Sequence, residues 1–458
     1  MSGQNKKMEL LGSAPIPKAL LAMGIPTMIG MMINALYNLV DAYFVGGLGT
    51  SQMGAITVTF PLGQIVVGLG LLFGSGAASA VSRLLGKGEK EKADKVVSTA
   101  IYGSILTGIM LIVCAVIFLN PILKLLGATS SILPYAQTYA RIYIISSIFN
   151  IFNVAMNNIV TGEGAARTTM GALMTGAVLN MVLDPVFINV LNLGVLGAAV
   201  ATAISQMVST MVYLCYILKG KSAFTFRIRA CSFSKEILSE ILKIGIPTLI
   251  FQLLTSLAVA LINMKAKAYG DSVIAGMGAV TRLISMGSLM VFGFIKGFQP
   301  IAGYSYGAKN YPRLKEAIRT SIIWSTMFCV FFGFIAAVFA KPIISQFTNG
   351  DMEMIRIGTR ALRANGLSFI LFGFYTVHSS LFLALGKAKE GMILGTCRQG
   401  LCFVPAILIL PLLFGVNGIL YAQPVADILS AAVTVVMGVK FETSLGEEHV
   451  FIENSLKR

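Results

Sequence analysis

Two acidic residues stand where acids are costly. Asp41 falls near the end of an apolar run that opens at about residue 19, and Asp184 near the end of another, at 168–190. A charge at bilayer depth costs at least about 3 kcal/mol unless it faces protein or water. Asn38 lies three residues before Asp41 and Asn34 four before that, a spacing that puts all three on one helix face. Asn180 and Asp184 repeat the i, i+4 arrangement. Thr202 and Tyr139 reach a similar depth on two further runs, so polar groups from four helices share one level. Two neighbouring carboxylates repel each other and favour a shared proton. The same oxygens, together with Asn180 and Thr202, could instead ligate a hard cation such as Na⁺. A reading without chemistry leaves Asp41 among lipid headgroups and makes Asp184 a helix cap before Pro185.

The elements that must hold these groups are membrane spans. Of 458 residues, 56% are hydrophobic and 12% charged, about half the charged fraction of soluble domains. Twelve apolar runs, the first at 19–44 and the last at 416–440, are each long enough to cross about 30 Å of hydrocarbon. In lipid every backbone polar group must be paired within the chain, so the runs read as helices. The fold class is an all-α membrane protein with twelve transmembrane helices in two pseudo-symmetric six-helix bundles.

The bundles emerge from a comparison of residue i with residue i+221. Gly24-Ile25-Pro26-Thr27 meets Gly245-Ile246-Pro247-Thr248, Gly76 meets Gly297, Gly86 meets Gly307, and Gly194 and Gly197 meet Gly415 and Gly418. An even number of helices per copy makes these parallel repeats. The reading divides the chain into an N-lobe at 1–218, a cytoplasmic linker at 219–240, a C-lobe at 241–440 and a cytoplasmic tail at 441–458.

The net charge of +16 sets topology and does not recruit nucleic acid. Its cations cluster in alternate loops, as in Arg83, Lys87, Lys90, Lys92 and Lys95, or Lys219, Lys221, Arg227, Arg229 and Lys235. That is the positive-inside pattern, and it puts both termini in the cytoplasm. The polar N-terminus predicts no leader peptide. The six cysteines are scattered without disulfide or metal spacing.

In the second copy Asp41 maps onto Ile262 and Asp184 onto Pro405. That lobe offers Arg282, Gln299, His378, Arg398 and Asp427 as its polar candidates. His378 is a possible proton relay or a packed hydrogen-bonder. Arg398 and Asp427 are placed to pair between helices 11 and 12. Lys296, near the inner end of helix 8, is expected to snorkel to the cytoplasm, and Glu163 to play a structural part at the inner surface. Pro26 removes a backbone bond from helix 1 and permits a bend upstream of Asp41. With two histidines and no clustered acid–base set, no enzyme and no cofactor are predicted.

The motifs "GFQPIAGYSYGAK" (Gly297 to Lys309), "LNMVLDPVF" (Leu179 to Phe187), "RQGLCFVPAI" from Arg398 and "QPVADILS" (Gln423 to Ser430) resemble those of the multidrug and toxic compound extrusion (MATE) family. The resemblance spans about residues 15–440. It implies secondary active efflux at a bacterial inner membrane by a monomer: cationic or amphipathic drugs leave as H⁺ or Na⁺ enters. It also implies a cation-responsive site at Asp41, Asn180, Asp184 and Thr202, with Asn38, Tyr139 and the deeper Asn157 as a secondary network. The family's other branch places a Glu on helix 7 and an Asp on helix 10. Helix 7 has no acid here and helix 10 offers only His378, which argues for coupling through the N-lobe. The competing reading is a flippase for lipid-linked oligosaccharide or lipid II, which needs a strongly cationic cavity; Arg282 and Arg398 are few for that.

Overall fold

The computed structural model describes residues 3–126, 128–226, 228–348 and 351–456; Arg227 lies outside them. Every regular element among the described residues is helical. Twelve spans follow in order. The first half contains α1 (Ile16–Val45), α2 (Gly54–Lys87), α3 (Lys90–Ile117), α4 (Leu133–Gly162), α5 (Ala166–Val190) and α6 (Gly194–Leu218). The second contains α7 (Lys235–Lys267), α8 (Asp271–Gly307), α9 (Tyr311–Val338), α10 (Met352–Phe369 with Phe372–Ala384), α11 (Ala388–Phe414) and α12 (Val416–Phe441). The two segments of α10 meet at 51°.

Local chemistry fixes the ends. α2 stops at Gly88, whose φ of 77° is the left-handed conformation that glycine adopts without steric cost. α7 opens on Ser234, whose hydroxyl accepts from the Ile237 amide at 3.4 Å. It therefore begins at Lys235, inside the stretch read from sequence as linker. What precedes it is strapped to α3: Ser98 and Tyr102 donate to the carbonyls of Thr225 and Phe226, and Thr99 to that of Ser232. The α12 helix continues to Leu456, through most of the expected tail; the side chain of His449 and residues 457–458 lie outside the described part.

The halves meet along a seam of glycine. A Cβ on Gly76 of α2 would sit 2.1 Å from the Ile241 carbonyl oxygen of α7, and one on Gly245 of α7 1.8 Å from that of Leu72. On the other side of the seam, a Cβ on Gly297 of α8 would meet the Gly24 backbone of α1 at 2.5 Å. Small residues permit this approach because association in lipid rests on close packing rather than on exclusion of water. Hydrogen bonds follow the same line. Thr27 donates to the Gly293 carbonyl (2.6 Å), Ser79 to that of Leu383 (2.6 Å), Arg83 to Glu240 (3.0 Å), and Gln252 to Gln64. Among the described residues these contacts lie at mid-membrane or toward the end that bears the basic loops, so the halves join there. The N-terminal end of α1 is continuous with the core of the second half: Ile16, Leu20 and Met23 are buried with Phe298 and Ile301.

A short helix, Gly3–Gly12, precedes α1 and touches both halves. Lys7 pairs with Glu163 at 3.1 Å in the first. In the second, the Arg313 guanidinium donates to the carbonyls of Leu11 (3.2 Å), Ala14 (2.6 Å) and Leu10 (3.4 Å) at the helix's end, where unpaired carbonyls and the helix dipole favour a cation. Glu163 is fully buried and also accepts from Tyr216, from Ser222 (3.0 Å) and from the Ala223 amide (2.8 Å). The sequence set it at the inner surface; the structure sets it beneath the surface.

Candidate functional site

At the end of the first half remote from the basic loops, α1, α4, α5 and α6 carry Asp41, Tyr139, Asn180 with Asp184, and Thr202. Helical spacing alone puts Asn180 and Asp184 on the same face of α5, where the Asn180 amide reaches Asp184 Oδ1 at 3.4 Å. Packing of α5 on α6 adds Thr202, whose hydroxyl also lies 3.4 Å from the Asn180 amide. Both contacts are at the long end of hydrogen bonding. Asp184 and Asn180 are almost completely buried. Directly after them α5 relaxes into a π-helical turn, Val186–Val190, a distortion common beside functional sites.

Asp41 Oδ1, Asn180 Oδ1 and Asp184 Oδ2 are all buried and, among the described residues, have no hydrogen-bond partner. Native proteins seldom tolerate such groups, and a carboxylate oxygen without a donor or cation is the costliest kind. Asp41 and Asp184 are within electrostatic range of each other and of Tyr37 and Tyr139. Tyr139 stacks on Tyr143 with ring centroids 5.8 Å apart. Tyr37 and Tyr143 went unnoticed in the sequence although each stands four residues from a candidate, Asp41 and Tyr139.

Two members of the expected secondary network stand apart. Asn38 is exposed, and its amide bonds the Asn34 carbonyl one turn back, at 2.8 Å. Asn157 lies near the inner end of α4, where its amide donates to Tyr213 at 3.2 Å and its carbonyl oxygen accepts from Lys296. That bond corrects the expectation for Lys296: the ammonium turns inward across the seam instead of snorkelling, because a strong acceptor lies closer than water.

In the second half, Arg398 Nε donates to Asp427 Oδ1 at 2.8 Å, both residues being buried. Gln423 donates to the same oxygen at 2.9 Å and Ser368 to Oδ2 at 2.8 Å. A cavity of about 90 Å³ adjoins the pair, with Arg398, Gln399, Gln423 and Asn365 on its wall. The other polar candidates are elsewhere. His378 is buried, with its Nδ1 2.9 Å from the Phe374 carbonyl oxygen, Arg282 is exposed on α8, and Gln299 is half-buried near the inner end of that helix.

Twelve helices long and apolar enough to span a membrane, in two six-helix halves, define a multi-pass membrane protein of the transporter class. The chain belongs to the MatE family, whose model matches it twice, over residues 26–186 and 247–408. The starts of those matches are 221 residues apart (247 − 26), the same offset as the internal repeat. The multidrug export protein MepA of Staphylococcus aureus is 30% identical over 431 residues, which cover 93% of this chain and 94% of that one. MepA of Staphylococcus saprophyticus is 29% identical over 90% of this chain and 91% of its own. Among solved structures, the outward-facing conformation of a multidrug resistance MATE family transporter of the MOP superfamily superposes with a TM-score of 0.91. It is 28% identical, over 96% of this chain and 99% of that one. A MOP superfamily transporter from Pyrococcus furiosus gives 0.90, with the same identity and coverage.

Proposed function

We propose that the chain exports cationic and amphipathic organic compounds across a bacterial cell membrane in exchange for H⁺ or Na⁺, with Asp41, Asn180, Asp184 and Thr202 as the coupling site. The observation that carries this reading is the set of three buried, unpartnered oxygens on Asp41, Asn180 and Asp184. A proton shared between the carboxylates, or a hard cation ligated by all three oxygens, would satisfy them. The relatives' names, multidrug export proteins, support the cargo class.

The division into an N-lobe and a C-lobe gives the coupling its mechanical use. With the basic-loop end in the cytoplasm, the glycine seam closes the inner side and the chain is outward-facing. Binding of a cation neutralises the pocket and removes the repulsion between Asp41 and Asp184, which biases the equilibrium between the two lobe arrangements. Helix α1 is the connecting element. Its outer third carries Asp41, and its inner half packs on α8 at Gly24 and Thr27, on either side of Pro26. A bend at Pro26 would move the acid while the seam holds.

The test is drug uptake into inverted vesicles under an imposed pH or Na⁺ gradient. Asp41→Asn and Asp184→Asn keep the shape of each side chain and remove its charge. Each is expected to lower gradient-driven transport at least about tenfold, the usual scale of a coupling free energy. Wild-type rates in both variants would refute coupling at this site, and whichever gradient drives the wild type identifies the ion.

A further inference from the structure

The cavity of the second half overlaps, in its own repeat, part of the position that the polar cluster takes in the first. At the 221-residue offset Asp41 and Thr202 correspond to Ile262 and Gln423, which line the cavity, whereas Asn180 and Asp184 correspond to Leu401 and Pro405, which do not. Where the first half carries Asp41 the second has an apolar residue, and its cavity carries a guanidinium instead. Arg398 sits in a π-helical turn of α11, Cys397–Leu401, the type of distortion often retained where a side chain must be aimed.

The guanidinium is held in a fixed attitude with most of its donors spare. Its Nε is committed to Asp427, and its face lies over the Phe372 ring at 4.6 Å. Asp427 is fully satisfied, by Arg398, Gln423 and Ser368. Among the described residues no hydrogen bond is made by Nη1 or Nη2, and Arg398 lines the cavity. A pair serving only to tie α11 to α12 would use the fork of the guanidinium, which matches a carboxylate with two parallel bonds. Here a single side-on bond anchors the cation and leaves the fork open. Around it stand the amide side chains of Gln399 and Asn365 and the hydroxyl of Ser285, set among apolar neighbours such as Ile284 and Phe403. A few well-placed polar groups in an otherwise apolar hollow are what an organic ligand site requires.

We propose that this niche is a ligand subsite of the C-lobe, where the Arg398 fork receives a planar oxygen acceptor, a carboxylate or carbonyl, of an aromatic compound. The subsite extends the export reading to compounds that carry such a group beside their cationic part, and rests on that reading for the ligand class.

The test uses purified full-length protein and two aromatic ligands, a zwitterion and a cation. Rhodamine 110 bears a free carboxylate, and tetraphenylphosphonium bears no oxygen. The variant is Arg398→Gln with Asp427→Asn, so that no buried charge is left alone, and its thermal midpoint is measured first. The double variant is expected to bind rhodamine 110 about tenfold more weakly, the scale of one charge-assisted hydrogen bond, while tetraphenylphosphonium affinity changes less than twofold. Arg398→Lys is expected to lose rhodamine 110 affinity as well, since an ammonium cannot present the fork. Equal effects on the two compounds, unchanged binding of rhodamine 110, or its failure to bind the wild type would each overturn the proposal. Export of tetraphenylphosphonium by wild-type vesicles is measured separately, so failure of the export reading shows there and not in the contrast between ligands.

Discussion

The ammonium of Lys296, on α8, donates to the side-chain carbonyl of Asn157, on α4, and so joins the two halves of the molecule below its mid-plane. The Asn157 amide is in turn bonded to Tyr213 of α6, which fixes the orientation of the acceptor. A buried lysine with one strong partner across an interface favours the arrangement that keeps the partner within reach.

Lys296→Met is therefore expected to loosen the inner seam. A hydrogen bond to a charged group contributes about 1.5–3 kcal/mol, so the closed-to-open ratio should fall at least about tenfold. Pulsed EPR distances between spin labels on the inner ends of α3 and α9 report it. Asn157→Ala should produce the same shift, and the double variant no more than either single one.

The glycine seam makes a sharper prediction. Gly245→Ala places a methyl group 1.8 Å from the Leu72 carbonyl oxygen, an overlap that only separation of α2 and α7 relieves. The variant should insert and fold, label rapidly with thiol reagents at cysteines introduced on the inner side, and transport at less than about a tenth of the wild-type rate. Gly171→Ala, where nothing stands within 4 Å of the added atom, is the control and should transport normally.

Glu163 is fully buried and has four partners, of which Lys7 is the cation. Removing one member of a buried pair costs about 3–5 kcal/mol. Glu163→Ala should accordingly lower the thermal midpoint of the purified protein by several degrees and expose the short N-terminal helix to proteolysis. Lys7→Met should cost less, because Tyr216, Ser222 and the Ala223 amide continue to serve the carboxylate.

Outside the spans, Asp351 caps α10. The Ser272 hydroxyl (2.6 Å), with the amides of Met354 and Glu353 (both 3.0 Å), holds its carboxyl below the usual carboxylate range. A depressed folded-state value stabilises the cap above the ordinary carboxylate pKa, and that stability is lost as pH falls through the lower, folded value. Hydrogen exchange at the first turn of α10 should thus be slow and uniform near neutrality and accelerate only in acid beyond the usual carboxylate range. Asp351→Asn should remove the acid-dependent step.

Much of this was legible in the residue order because it depends on local geometry. Runs of about 20 apolar residues must be helices in lipid. The i, i+4 spacing of Asn180 and Asp184 puts them on one face whatever surrounds them. The repeat at 221 residues follows from glycines and prolines whose backbone roles are local too. The pairing of Arg398 with Asp427 could be anticipated, since each is too costly to bury alone.

What stayed hidden depends on neighbours distant in sequence. Nothing near Lys296 says whether its flexible stem points to water or to an asparagine 139 residues away. The depth of Asn157 along its helix was legible, but its partnership with Lys296 was not, since that requires knowing where α4 meets α8. The spare fork of Arg398 is likewise a matter of aim, settled by Phe372, Asp427 and a π-turn. Residue types and their period along the chain fixed which groups must leave water, whereas only the packing of helices on one another decided which groups they would meet. Helix formation is governed by backbone hydrogen bonds within a few residues; partnership inside a membrane is governed by which side chains the folded helices bring within three ångströms.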